Sequence, residues 1–183
     1  FSFDRFSSVD PVLGPEMRST GEVMGTGPTV GEAFAKCQAA GGTMLPVKGT
    51  VFVSVNDFDK ATIFPAVKKL SELGFSVAAT QGTAMYLFER GLFPEVVLKV
   101  HEGRPNVLDH MRAGKIHFLI NTPLGAHSLH GDQEIRMEAV RRKIPYTTTT
   151  SAAEAAVEAI EALQKGRFSV NPLPETEQPL IAG

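Results

Sequence analysis

Two lysines and a scatter of small polar residues end or interrupt short apolar runs: Ser54 in Thr50-Val-Phe-Val-Ser-Val, Thr80 and Thr83 in Ala79-Thr-Gln-Gly-Thr, Lys99 in Val96-Val-Leu-Lys-Val, and Asn121-Thr122 after Ile116-His-Phe-Leu-Ile. Lys60 follows the first of these runs by a few residues. Hydroxyls, ammonium groups and the free N–H groups of helix starts are the donors that surround a bound phosphate monoester. Each residue alone has a plainer reading. Thr80 and Thr83 could cap a helix, Lys60 could be a solvated helix residue, and Asn121-Thr122 could open a loop. Lys99 is different in kind: an ammonium inside an apolar strand needs a counter-charge if it is buried, which favours a bound anion. His101-Glu102 beside it could suggest acid–base work. His127-x-x-His130 has loose metal-ligand spacing without a third ligand, so a loop surface explains it better. No catalytic residue and no metal site is assigned.

These residues matter only if the backbone brings them to one place. From Gly49 onward, β-branched and aromatic runs alternate with amphipathic stretches closed by glycine. The pattern predicts strands over 50–55, 75–80, 96–100, 116–121 and 145–148, and helices over 60–73, 83–90, 106–113, 133–143 and 152–165. Asp59 is the expected N-cap of the first of these helices, with Pro65 confined to its opening turn or so. Ser151 is the expected cap of the last. Strands that alternate with helices need right-handed crossovers, so the expected fold is a doubly wound α/β domain, with a mainly parallel sheet of about five strands and helices on both faces. In such a sheet ligands bind outside the carboxyl ends of the strands, and Ser54, Thr80, Lys99, Asn121 and the Thr147–Thr150 run all arrive at that edge.

Residues 1–48 have a different texture, rich in Gly and Pro, broken by a capping box at Thr29-Val-Gly-Glu32 ahead of an apolar helix to Ala40. They read as the tail of a preceding domain plus a linker, residues 49–165 as the α/β domain proper, and 166–183, with prolines at 172, 174 and 179, as a flexible tail. Composition bounds the class. Of the 183 residues 43% are hydrophobic and 21% charged, and 18 Lys+Arg against 20 Asp+Glu leave a net charge of −2. That excludes a disordered chain and gives no basic excess for nucleic acid or a membrane surface. The single Cys37 and the want of a long apolar run point to a soluble protein of a reducing compartment, hence the cytoplasm. Phe1 and the residues after it have no signal-peptide character, so the sequence reads as part of a longer one. The motifs of dinucleotide binding, nucleoside triphosphatases and serine hydrolases are missing.

Taken in order, Ala79-Thr-Gln-Gly-Thr-Ala84, Lys99-Val-His-Glu-Gly-Arg-Pro105 and Ile120-Asn-Thr122 resemble the methylglyoxal-synthase-like domain that ends the large chain of carbamoyl phosphate synthetases. The flank Val9-Asp-Pro-Val-Leu-Gly-Pro-Glu-Met-Arg-Ser-Thr-Gly-Glu-Val-Met-Gly25 is similar to the junction after the second ATP-grasp domain of that family.

The resemblance implies a regulatory role within a glutamine-dependent carbamoyl phosphate synthetase serving pyrimidine and arginine biosynthesis. The parent enzyme would use ATP with Mg or Mn, and ammonia from a glutaminase small subunit, while this fragment holds no cofactor. Its crevice would bind a nucleotide monophosphate, UMP or IMP. By matching position Lys60, Thr80, Thr83 and Lys99 would hold the phosphate, Ser54, Asn121 and Thr122 would contact phosphate, ribose or base, and Tyr146 and Thr148 would touch ornithine at the junction with the rest of the large chain. The alternatives are a phosphate lyase acting on dihydroxyacetone phosphate, as in methylglyoxal synthases themselves, and a docking module without a ligand. Arg104 stands where the lyases place a catalytic aspartate, which disfavours the first.

Overall fold

A computed structural model of the chain describes residues 23–123 and 131–166. His127 and His130 lie outside the described residues, as do most of the 1–48 flank's first half and the 166–183 tail beyond Gly166. The elements run α1 Val30–Ala40, β1 Thr50–Val55, α2 Lys60–Glu72, β2 Ser76–Ala79, α3 Gln81–Phe88, β3 Glu95–Val96, α4 Val107–Arg112, β4 Phe118–Thr122, α5 Gly131–Arg142, β5 Tyr146–Thr147 and α6 Thr150–Gln164.

The five strands form one sheet in the order β3-β2-β1-β4-β5, and every pairing is parallel. The doubly wound α/β expectation is met. β1 and β4 lie inside the sheet and are buried almost throughout because helices cover both of their faces. On one face Val51, Val53, Phe118 and Ile120 pack with Ile63, Val67 and Leu70 of α2 and with Ala153, Val157 and Ile160 of α6. On the other, Phe52, Ala78 and Leu119 meet Val107 and Met111 of α4 and Ile135 and Ala139 of α5. The chain moves outward from β1 through β2 to β3, then returns to the other side of β1 for β4. That reversal puts the topological switch point at the carboxyl ends of β1 and β4, where Ser54 is in register with Asn121 and Val55 with Thr122.

α1 lies against α6. Thr29 caps it, its Oγ1 accepting from the Glu32 N–H at 3.2 Å, and Ala35 joins the core shared by α2 and α6. Gly31 makes the approach possible, since a Cβ there would come within 2.6 Å of the Glu158 backbone.

Several local expectations are corrected. β3 spans only Glu95–Val96, both exposed, instead of 96–100, because it is an edge strand paired on one side alone. α2 is helical from Lys60 straight through Pro65, which the exposed face of the helix accommodates. Asp59 occupies its N-cap position without capping by side chain, its carboxylate being taken by Asn56 Nδ2 at 2.6 Å. The cap of α6 is Thr149, whose Oγ1 accepts from the Ala152 N–H at 3.2 Å, and not Ser151.

Candidate anion-binding site

The carboxyl ends of β1 and β2 carry the densest set of polar groups. Lys60 opens α2, and its side chain, only 14% exposed, reaches across to the next helix: Nζ donates to the Gly82 carbonyl at 2.8 Å. Nζ also pairs with Asp57 Oδ1 at 2.6 Å, although Asp57 is 87% exposed. The Lys60 hydrogen bond and charge hold the Asp57 carboxyl below the ordinary aspartate range, and the charge of Lys99 adds to the effect. Lys99 therefore projects its field onto the same corner. A Cβ at Gly82 would sit in ordinary contact with Lys60 Nζ, at 3.6 Å.

Thr80 is the N-cap of α3 in extended conformation, yet its hydroxyl does not cap the helix. It donates instead to Thr83 Oγ1 at 3.3 Å, and Thr83 Oγ1 also accepts from the Val55 N–H at 3.5 Å. Both threonines are almost wholly buried. The simple capping explanation of the pair fails, and the first-turn N–H groups of α3 are left without a side-chain acceptor from their own cap. A helix start of this kind, with an ammonium beside it, favours an anion.

Lys99 is in the expected neighbourhood but not in the expected state. Because β3 stops at Val96, Lys99 lies beyond the strand and is exposed, so water solvates its ammonium and burial does not demand a counter-ion. Its backbone N–H donates to Glu102 Oε2 at 2.8 Å, which shapes the loop that carries it.

Ser54, Asn121 and Thr122 form a second, buried layer at the switch point. Asn121 Nδ2 donates to the Ser54 carbonyl at 3.2 Å while its Oδ1 accepts from Arg136 Nη1 at 2.9 Å. Thr122 Oγ1 accepts from the Asn56 N–H at 3.3 Å and from Asn56 Nδ2 at 3.2 Å. These bonds stitch the end of β1 to the end of β4 and spend much of the hydrogen-bonding capacity of the side chains involved. Tyr146 and Thr148 stand apart. β5 is the far edge strand, with β4 between it and β1; Tyr146 packs on the face covered by α4 and α5, and Thr148 follows the strand.

Two contributors escaped the sequence reading. Arg136 is 2% exposed and orients Asn121 from α5. Its helix is polar along most of its length, and only the flanking Ile135 and Ala139 mark the buried stripe. Asp57 holds Lys60, and the one available signal was an acid placed one helical turn before that lysine. Among the described residues no group of three or more His, Cys, Asp or Glu could hold a metal ion, and no helix is long and apolar enough to cross a membrane.

Comparison with known proteins places these features. The model of the MGS-like domain matches residues 62–148. The carbamoyl phosphate synthase large chain of Acidobacterium capsulatum is 50% identical over 173 residues, which cover 94% of this chain and 16% of that one. The protein named carbamoyl phosphate synthase large chain, C-terminal section, of Methanopyrus kandleri is 51% identical over 172 residues, 93% of this chain and 32% of its own. The large chain of Gemmatimonas aurantiaca is 47% identical over 182 residues. The chain thus spans 16% to 32% of the length of the first two relatives. With its all-parallel five-stranded sheet, the chain carries an MGS-like domain and is homologous, along nearly its whole length, to the C-terminal section of the carbamoyl phosphate synthase large chain.

Proposed function

We propose that this domain is the effector-binding module of a glutamine-dependent carbamoyl phosphate synthetase, taking UMP or IMP at the carboxyl ends of β1 and β2. The observation that carries the reading is the meeting of Lys60 with Gly82 at the start of α3, beside a cap residue whose hydroxyl does not cap. A phosphate there would receive the first-turn N–H groups of α3, the Lys60 ammonium and the hydroxyl layer of Thr80 and Thr83, with Lys99 adding charge from the solvent side. Ser54, Asn121 and Thr122 would shape the floor toward ribose and base. Tyr146 and Thr148, on the far edge of the sheet, would touch ornithine at the junction with the rest of the large chain.

Regulation then follows from differential affinity. A nucleotide that binds one arrangement of the domain interface better than the other shifts production of carbamoyl phosphate, typically by a coupling of ~1–3 kcal/mol. The ATP-dependent chemistry and the glutaminase subunit belong to the remainder of the parent enzyme, in the cytoplasm. Calorimetric titration of the chain with UMP, IMP and dihydroxyacetone phosphate tests the reading. Saturable uptake of UMP or IMP is expected. Uptake of dihydroxyacetone phosphate alone, with release of phosphate, would restore the lyase alternative, and silence from all three would leave a docking module.

A further inference from the structure

We infer that Asp57 is a built-in competitor for the anion, a carboxylate that pairs with Lys60 and opposes a phosphate approaching the same ammonium. The inference rests on the nucleotide-phosphate reading of the Lys60 corner and adds a residue that sets its affinity. Lys60 Nζ is committed twice, to Asp57 Oδ1 at 2.6 Å and to the Gly82 carbonyl at 2.8 Å. The two commitments differ in kind. Gly82 is backbone at the start of α3 and fixes where the ammonium sits. Asp57 is a side chain 87% exposed, on the turn between β1 and α2, and can swing into water at little cost. An anion arriving at the first turn of α3 approaches the ammonium from the neighbourhood of that carboxylate, and like charges at contact distance repel. Asp57 therefore lowers affinity in two ways: it occupies a donor of Lys60, and it opposes the entering charge. The depressed proton affinity of Asp57, caused first by Lys60 and assisted by Lys99, is consistent with a carboxylate standing among the cations of this corner.

The same placement gives Asp57 a positive use. With its carboxylate withdrawn, Lys60 would keep only the Gly82 carbonyl, and the site would take small anions less selectively. A ligand that also makes ribose and base contacts can afford the displacement, whereas a bare anion has only its charge with which to compete.

A double-mutant cycle decides the matter, because it separates action through Lys60 from a general change in field. UMP, IMP and inorganic phosphate are titrated calorimetrically into the wild type, Asp57→Asn, Lys60→Ala, the double variant, and Asp57→Asn combined with Lys99→Ala. Asp57→Asn is expected to tighten binding about two- to fivefold, the scale of an exposed ion pair. The gain should vanish in the Lys60→Ala background and persist in the Lys99→Ala background. Unchanged or weaker binding by Asp57→Asn, or a full gain without Lys60, would overturn the inference. If the wild type takes inorganic phosphate but neither nucleotide, the nucleotide reading falls while the cycle, run with phosphate, still judges Asp57. If no probe binds any of the proteins, both readings fall together.

Discussion

At the contact of α4 with α5, three guanidiniums converge on one buried carboxylate, whereas at the ends of β1 and β2 the cation is the buried partner and the carboxylate is the exposed one. Glu138 is 8% exposed and pairs with Arg142 Nε at 2.6 Å, Arg112 Nε at 3.5 Å and Arg141 Nη1 at 3.8 Å, while these arginines are 40% to 53% exposed. In the Lys60–Asp57 pair the proportions reverse, 14% against 87%. The buried member of a pair is the one whose position the fold fixes. A fixed carboxylate ringed by arginines holds two helices together and leaves nothing for a visiting anion to gain at its centre. A fixed ammonium whose own carboxylate is free to leave is a receptor for another anion.

Four measurements distinguish the two pairs. Glu138→Ala should have the largest effect, about 2 kcal/mol of stability lost in urea unfolding, because it removes the buried carboxylate that pairs with Arg112 of α4 and with Arg141 and Arg142 of α5. UMP affinity should not move; a parallel loss of affinity would erase the distinction. Lys60→Ala should do the reverse, weakening UMP binding about tenfold in calorimetry, with stability held within about 0.5 kcal/mol. Lys99→Ala should cost about threefold in affinity, and the loss should shrink as salt is raised, since an exposed charge is screened. The smallest effect concerns acid. The folded-state Asp57 carboxyl lies below its ordinary value of 3.8, so its pairing stabilises the fold at and above that pH and is lost as the pH falls through the lower folded value. Wild type and Asp57→Asn should differ slightly in stability near neutrality and converge well below pH 3.8 in an acid unfolding series.

The fold was legible where burial is two-sided. β1 and β4 carry the apolar runs Val51-Phe-Val53 and Phe118-Leu-Ile120 because helices cover both faces, and Gly74, Gly91 and Gly114, each at positive φ, mark the ends of α2, α3 and α4 as read. The reading failed where pairing is one-sided. The run Val96-Val-Leu-Lys-Val looks like a buried strand, but an edge supports only two residues of it, and Lys99 passes into solvent. Local caps were misassigned for a related reason, since Thr149 and Ser151 offer the same hydroxyl and backbone geometry alone chooses between them. At the site, Ser54 lies on β1, Asn121 and Thr122 lie on β4 and Thr80 follows β2, whereas Lys99 lies beyond β3. Their state was beyond the sequence: Asn121 and Thr122 are tied into the strand ends, and the residues that tie or occupy the others, Arg136 and Asp57, are charged groups in stretches that resemble ordinary surface.

The close seat of α1 on α6 bears on how force passes through the molecule. With no side chain at Gly31 the two backbones touch, and a Cβ would already be 2.6 Å from Glu158. A contact of that kind has no slack and no compliant layer of methylenes to absorb a displacement. A tilt of α6 against the sheet is therefore passed on to α1, and the two helices move as one arm on that face of the domain.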